Sequence, residues 1–128
     1  MKKSIFFLII IIQFLNSASS EEFFEDITYQ LLDNQPRLSY GISVSDVNND
    51  GKFEFIVTGF GFKNLALGYR KGILFNTVDQ SIFLDKNRRT IGVVSCDVDQ
   101  DGYEEIYFLN TDTYSGEKKY SDRLLDLN

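Results

Sequence analysis

Two stretches of this sequence set oxygen-bearing side chains at alternate positions of a short, glycine-containing segment. They are Asp46-x-Asn48-x-Asp50-Gly51-x-x-Glu54 and Asp97-x-Asp99-x-Asp101-Gly102-x-x-Glu105. Alternate positions in a tight loop turn their oxygens toward one centre, and glycine permits the positive φ that folds the chain back. Calcium takes six to eight oxygen ligands at about 2.3–2.6 Å. Side chains at positions one, three, five and nine, with the backbone carbonyl of position seven, supply most of such a shell. The candidate ligands are therefore Asp46, Asn48, Asp50, the Lys52 carbonyl and Glu54, then Asp97, Asp99, Asp101, the Tyr103 carbonyl and Glu105. Two calcium sites are expected.

An EF-hand begins in the same way but requires Glu at position twelve. Here that position holds Val57 and Phe108, and the flanking residues have strand character. The competing explanation is that Asp, Asn and Gly only mark exposed hairpin turns. Two copies in register, each with an acid at position nine, weigh against it. Four acids about 5 Å apart repel by roughly 1 kcal/mol per pair even in water, and a bound cation removes that cost.

Little else in the composition offers chemistry. The 128 residues contain no histidine and one cysteine, Cys96. A Ser-His or Cys-His pair is thus excluded, and the paired acids are better explained as ligands than as glycosidase carboxylates. No enzymatic activity is expected. Cys96 follows an apolar run, where a small buried residue is the expectation, against a reactive thiol or an intermolecular bridge.

Lys2 and Lys3 precede an apolar core from Ile5 to Ile12, and Ala18 and Ser20 stand at −3 and −1 to a break before Glu21. This is the layout of a secretory signal peptide over residues 1–20, and the apolar run is shorter than the roughly 20 residues a membrane anchor needs. The expectation is a secreted, extracellular chain with no membrane span after cleavage. Two of the 13 basic residues and none of the 19 acidic ones lie in that leader, so the remaining 108 residues carry a net charge of −8. Such a surface repels phosphate backbones, so no nucleic-acid partner is expected.

These loops have to be held by strands. Residues 21–37 read as an acidic lead-in with room for one strand. Alternation at Tyr40, Ile42 and Val44 marks a strand over Leu38–Ser45, and Phe53–Thr58 marks a second. Leu65–Tyr69 and Ile73–Thr77 form a hairpin around Arg70-Lys71-Gly72. Residues 78–89 read as a polar connection. The pattern then restarts: residues 41–54 realign with residues 92–105 at an offset of 51. A period of this size suits four-stranded propeller blades. The expected fold is all-β: a partial β-propeller with one complete four-stranded blade over residues 38–78, a connection over 79–89, and a truncated second blade over 90–128. Each blade carries one calcium loop.

Leu38–Thr58 (LSYGISVSDVNNDGKFEFIVT), Asn64–Tyr69 (NLALGY), Ile91–Thr111 (IGVVSCDVDQDGYEEIYFLNT) and Tyr114–Leu124 (YSGEKKYSDRL) together resemble the FG-GAP/VCBS repeat proteins. These are the integrin-α-like β-propellers, and the likeness within them is to the cartilage acidic protein family. Asn48 replaces a usual Asp and Gln100 a common Gly. The resemblance implies a calcium-binding extracellular module that acts by binding an extracellular or cell-surface protein, and that belongs to a longer product. A carbohydrate-binding propeller fragment is the alternative and a hydrolase a remoter one. A lone pair of blades leaves open edges through which self-association is expected.

Overall fold

The computed structural model describes residues 23–32, 34–111 and 118–127. Residues 1–20, read above as a signal peptide, and residues 114–117 of the resembling tail lie outside them. The described chain is all-β, in two antiparallel sheets with almost no helix. Sheet 1 is the meander β1 (Ile42–Ser45), β2 (Glu54–Val57), β3 (Leu65–Arg70) and β4 (Ile73–Asn76). Sheet 2 is β5 (Thr90–Cys96), β6 (Glu105–Asn110) and β7 (Arg123–Leu125).

Three local expectations are revised. The first strand begins at Ile42, because Leu38 and Tyr40 make no β1–β2 pairing and the register starts at Ile42↔Val57. The lead-in contributes a 3₁₀ turn at Thr28–Gln30 and a single bridge from Leu31 to Leu74 in place of a strand. The connection holds a one-turn helix, α1 (Ser81–Leu84), whose Phe83 is buried. The β3–β4 hairpin turns through Lys71 at φ 51° and Gly72 at φ 83°. Positive φ at both central residues matches the twist of the flanking strands.

The register separates two faces on each sheet. In sheet 1 the pairs Ser43↔Ile56 and Ser45↔Glu54 share a forward face with Ala66, while Ile42↔Val57 and Val44↔Phe55 share a rear face with Leu67. In sheet 2, Val94↔Tyr107 and Tyr107↔Leu124 lie forward, and Val93↔Phe108, Ser95↔Ile106 and Ile106↔Leu125 lie rearward. The forward face of sheet 1 packs on the rear face of sheet 2. The core joins Ile56 and Ala66 to Ile106 and Phe108, with Val47 and Phe83 completing it. Phe83 meets Phe108 edge-to-face at 5.6 Å between ring centroids, the arrangement aromatic quadrupoles favour.

Two buried polar side chains tie the elements of this packing together. Fully buried Asn64 accepts from the Gly59 N–H (2.9 Å) and donates to the Phe83 carbonyl (3.0 Å), tying sheet 1 to α1. Buried Asp85, the left-handed residue that ends α1, meets Arg88 at 2.8 Å and Arg123 of β7 at 3.1 Å.

The sheets meet most closely along β1 and β5. Ser95 Oγ donates to the Val44 carbonyl at 3.0 Å, and the Ser43 and Ser95 hydroxyls lie 3.0 Å apart. A Cβ at Gly41 would stand 2.8 Å from the Gly92 Cα, so only glycine admits this approach. Gly41 and Gly92 occupy equivalent positions of the repeat, as do Val44 and Ser95.

Candidate metal centre

Each candidate loop is the connection of one hairpin. The first joins β1 to β2 and is closed by the Ser45↔Glu54 pair; the second joins β5 to β6 and is closed by Cys96↔Glu105. Position nine is therefore a strand residue and is held by the ladder. Positions one to five lie on the turn.

The turn folds around its own first side chain. Asp46 Oδ1 accepts from the Asp50 N–H (2.9 Å) and Oδ2 from the Gly51 N–H (2.7 Å). Asp97 receives the same two bonds, from Asp101 (3.1 Å) and Gly102 (3.0 Å). Asn48 and Asp99 each accept from the amide two residues on, at 3.0 and 3.2 Å. Asp50 and Asp101 bond the amides of Lys52 and Tyr103, at 3.0 and 2.9 Å. These Asx-type bonds are local, so the two sequences reach the same shape independently. Gly51 and Gly102 have φ of 82° and 96°, and Asn49 and Gln100 are also left-handed at 52° and 66°. The strain at position four was not evident in the sequence. Asparagine tolerates that region, but Gln100 carries no such signal.

The position-nine carboxylates are the least solvated groups of each loop. Glu54 and Glu105 are buried, whereas Asp97, Asp99 and Asp101 are exposed. Glu54 Oε2 accepts from the Val47 N–H (3.2 Å) and Glu105 Oε2 from the Val98 N–H (2.6 Å). Asp97, Asp99, Asp101 and Glu105 bring one carboxylate oxygen each to within 4.8 Å of the others. Glu105 Oε1 is buried and has no hydrogen-bond partner. A buried carboxylate oxygen without a partner is costly. The donors are all hard oxygens, and together with the orphaned Oε1 they fit a calcium-type cation.

The first loop differs in one respect that ligand spacing alone does not disclose. The Lys52 ammonium lies 3.4 Å from Asp50 Oδ2, and this exposed pair engages a candidate ligand oxygen. Tyr103 at the equivalent place brings no charge.

Burial raises the Glu54 carboxyl above its ordinary range. The Val47 N–H opposes that shift, the charges of Asp50 and Asp46 add to it, and Lys52 works against it. A carboxyl raised by folding contributes stability that is fully present below its unfolded pKa and is lost as pH rises through its folded value. The calcium-free chain should therefore lose, on going from acid to neutral pH, an increment of stability that the Glu54→Gln variant does not lose. Saturating calcium, which needs the ionised carboxylate, should reverse that trend in the parent chain. Urea midpoints of the two chains across that range check this, and parallel pH curves without calcium would contradict it.

Cys96, expected to be buried, is exposed. It lies on the forward face of sheet 2, which no third sheet covers among the described residues.

No family profile matches the chain. It is 43% identical over 119 residues to cartilage acidic protein 1 of Xenopus tropicalis, covering 82% of this chain and 18% of that protein. It is 38% identical over 122 residues to the proteins of the same name from Homo sapiens and Mus musculus, covering 84% of this chain. The chain spans less than a fifth of the length of these relatives. Over most of its own length, then, it is a homologue of one segment of cartilage acidic protein 1.

Proposed function

We propose that this chain is a secreted, calcium-binding repeat module of the FG-GAP/VCBS type, which acts by binding an extracellular protein and is not an enzyme. The carrying observation is the second loop, where four acids converge and Glu105 Oε1 is buried without a partner. When bound, calcium would supply the positive charge that neutralises this set. Asp97, Asp99, Asp101, Glu105 and the Tyr103 carbonyl would hold it, and the equivalent residues Asp46, Asn48, Asp50, Glu54 and the Lys52 carbonyl would hold a second ion. The propeller reading is supported by the four-stranded meander and by the close approach of β1 and β5 at equivalent residues. Secretion is supported by the layout of residues 1–20. Among the described residues no helix is long and apolar enough to cross a membrane.

Calorimetric titration with calcium tests the reading. Two sites are expected, in the range of about 10⁻⁴–10⁻³ M typical of extracellular modules. The second should be tighter, since it has four acids against three and lacks the Lys52 competitor. Asp99→Asn should weaken it toward the first. Excess magnesium should not displace calcium, because magnesium keeps a smaller, stricter octahedron with several waters. Identical isotherms for parent and variant, or displacement by magnesium, would count against the assignment.

A further inference from the structure

The strands of both sheets run between two common ends, since Gly41 adjoins Gly92 and Val44 adjoins Ser95. The β1–β2 and β5–β6 connections lie at one end and carry the two acidic loops. The β2–β3 connection, the α1–β5 turn and the β6–β7 connection lie at the other, and backbone bonds join them. The Gly61 N–H donates to the Arg88 carbonyl (3.0 Å), the Thr90 N–H to the Gly59 carbonyl (3.2 Å) and the Thr111 N–H to the Arg89 carbonyl (2.8 Å).

This second end is basic in a chain that is strongly acidic. Lys63, Lys86, Arg89, Lys118 and Lys119 are exposed there, and half-buried Arg88 and Arg123 meet Asp85. The described acids of this end are Asp85, buried between those two arginines, and Asp122, which Lys118 meets; Asp112 and Glu117 lie outside the described residues. Aromatic rings alternate with the cations. Tyr40 meets Phe60 edge-on at 5.3 Å, the Arg89 guanidinium lies over Phe60 at 5.4 Å, and the Tyr120 ring takes Arg88 at 4.8 Å and Lys119 at 5.1 Å. Tyr40 and Phe62 stay 57% and 45% exposed. The acidic loops do not cancel this charge. The seven residues of β5 set the two ends about 20 Å apart, against a screening length of about 8 Å at physiological salt.

We infer that this basic, aromatic end is a binding surface for a sulfated polysaccharide. The exposed lysines and Arg89 pair with sulfates, and the flat faces of Tyr40 and Phe62 stack on the C–H sides of the sugar rings. An acidic peptide satisfies the cations but leaves both rings unused. A nucleic acid offers charge and flat bases, but the extracellular setting, which rests on the secretion reading above, disfavours it. The surface lies at the far end from both acidic loops, so calcium binding is tested separately and either reading can fail alone.

The experiment titrates the purified chain, at saturating calcium, with a heparin-type oligosaccharide, its desulfated form, a polyglutamate of equal charge and a single-stranded oligonucleotide. The sulfated sugar should bind far more tightly than the other three. Its affinity should fall linearly with salt on logarithmic axes, as counterion release requires. Lys63→Gln combined with Lys86→Gln should weaken it about tenfold and lower the salt slope by about two. Arg70→Gln combined with Lys71→Gln removes the same charge at the β3–β4 turn, on the calcium-loop end, and should leave sugar affinity unchanged. Tyr40→Ser and Phe62→Ser should each weaken binding without altering the slope, which separates stacking from charge. Calcium isotherms and urea midpoints like those of the parent chain identify the variants that fold. No binding of the sulfated sugar at low salt would overturn the inference and leave the calcium reading intact. Equal binding of polyglutamate, oligonucleotide or desulfated sugar, equal losses from the two double variants, or parent-like binding by both aromatic variants would overturn it as well.

Discussion

Replacing Asp97 by Ala should abolish calcium binding at the second loop over the accessible range, while the first loop continues to titrate. Asp97 holds the turn together by accepting two backbone N–H bonds, and it presents a carboxylate to the same centre as Asp99, Asp101 and Glu105. Loss of groups that merely orient metal ligands costs about 10–100-fold in affinity, so loss of a ligand that also shapes the loop should cost at least on the order of 100-fold. The first loop lies on the other sheet and is folded by its own Asp46, so its isotherm should persist. Asp79→Ala removes the same charge from an exposed position outside both loops and should leave both sites unchanged. If Asp79→Ala weakened binding as much as Asp97→Ala, the effect would be bulk electrostatics rather than ligation.

The second large effect is expected at Phe108. Its side chain is fully buried, stacks edge-on against Phe83 and stands where the two sheets meet. Phe→Ala in a core costs about 3–5 kcal/mol. A chain of this size has only about 5–15 kcal/mol of net stability, so Phe108→Ala should leave sheet 2 largely undocked. Calcium offers a partial offset by mass action, about 2.7 kcal/mol at a hundredfold excess over its Kd. Urea unfolding should therefore show a large drop in midpoint without calcium and a partial recovery with it. Phe53→Ala is the control: it has the same chemistry but is 68% exposed on the first loop, so its effect should stay within about 0.5 kcal/mol. Equal effects at the two positions would mean that the sheet-on-sheet core does not carry the fold.

These predictions divide along a line that the chain itself draws. The shape of the two acidic loops was legible because their geometry is local. Asp46 reaches only as far as Asp50 and Gly51, and Asp97 only to Asp101 and Gly102, so residue types at fixed spacing suffice. The β3–β4 hairpin was legible from Gly72 between two apolar runs, but Arg70, expected in the turn, pairs with Ile73 and leaves only Lys71-Gly72 between the strands. The repeat offset of 51 residues likewise stands in the sequence alone, and so does the all-β character of the chain.

What only the tertiary structure decided is which surface meets which. Period-2 alternation assigns residues to two faces but does not rank faces that are both apolar. Ile42, Val44 and Phe55 look as suited to a core as Ile56 and Ala66, yet the first three stay exposed and the last two are buried. Cys96 was misplaced on this account, because its burial depends on a covering sheet and not on its neighbours in sequence. Phe83 was hidden in a segment that reads as polar, and a single aromatic on one helical turn has no period to betray it. The orphaned oxygen of Glu105 and the approach of the Lys52 ammonium to Asp50 also arise only once the chain is folded. They follow from side chains whose positions are set by strands and turns, and desolvation is a property of the surroundings rather than of the residue.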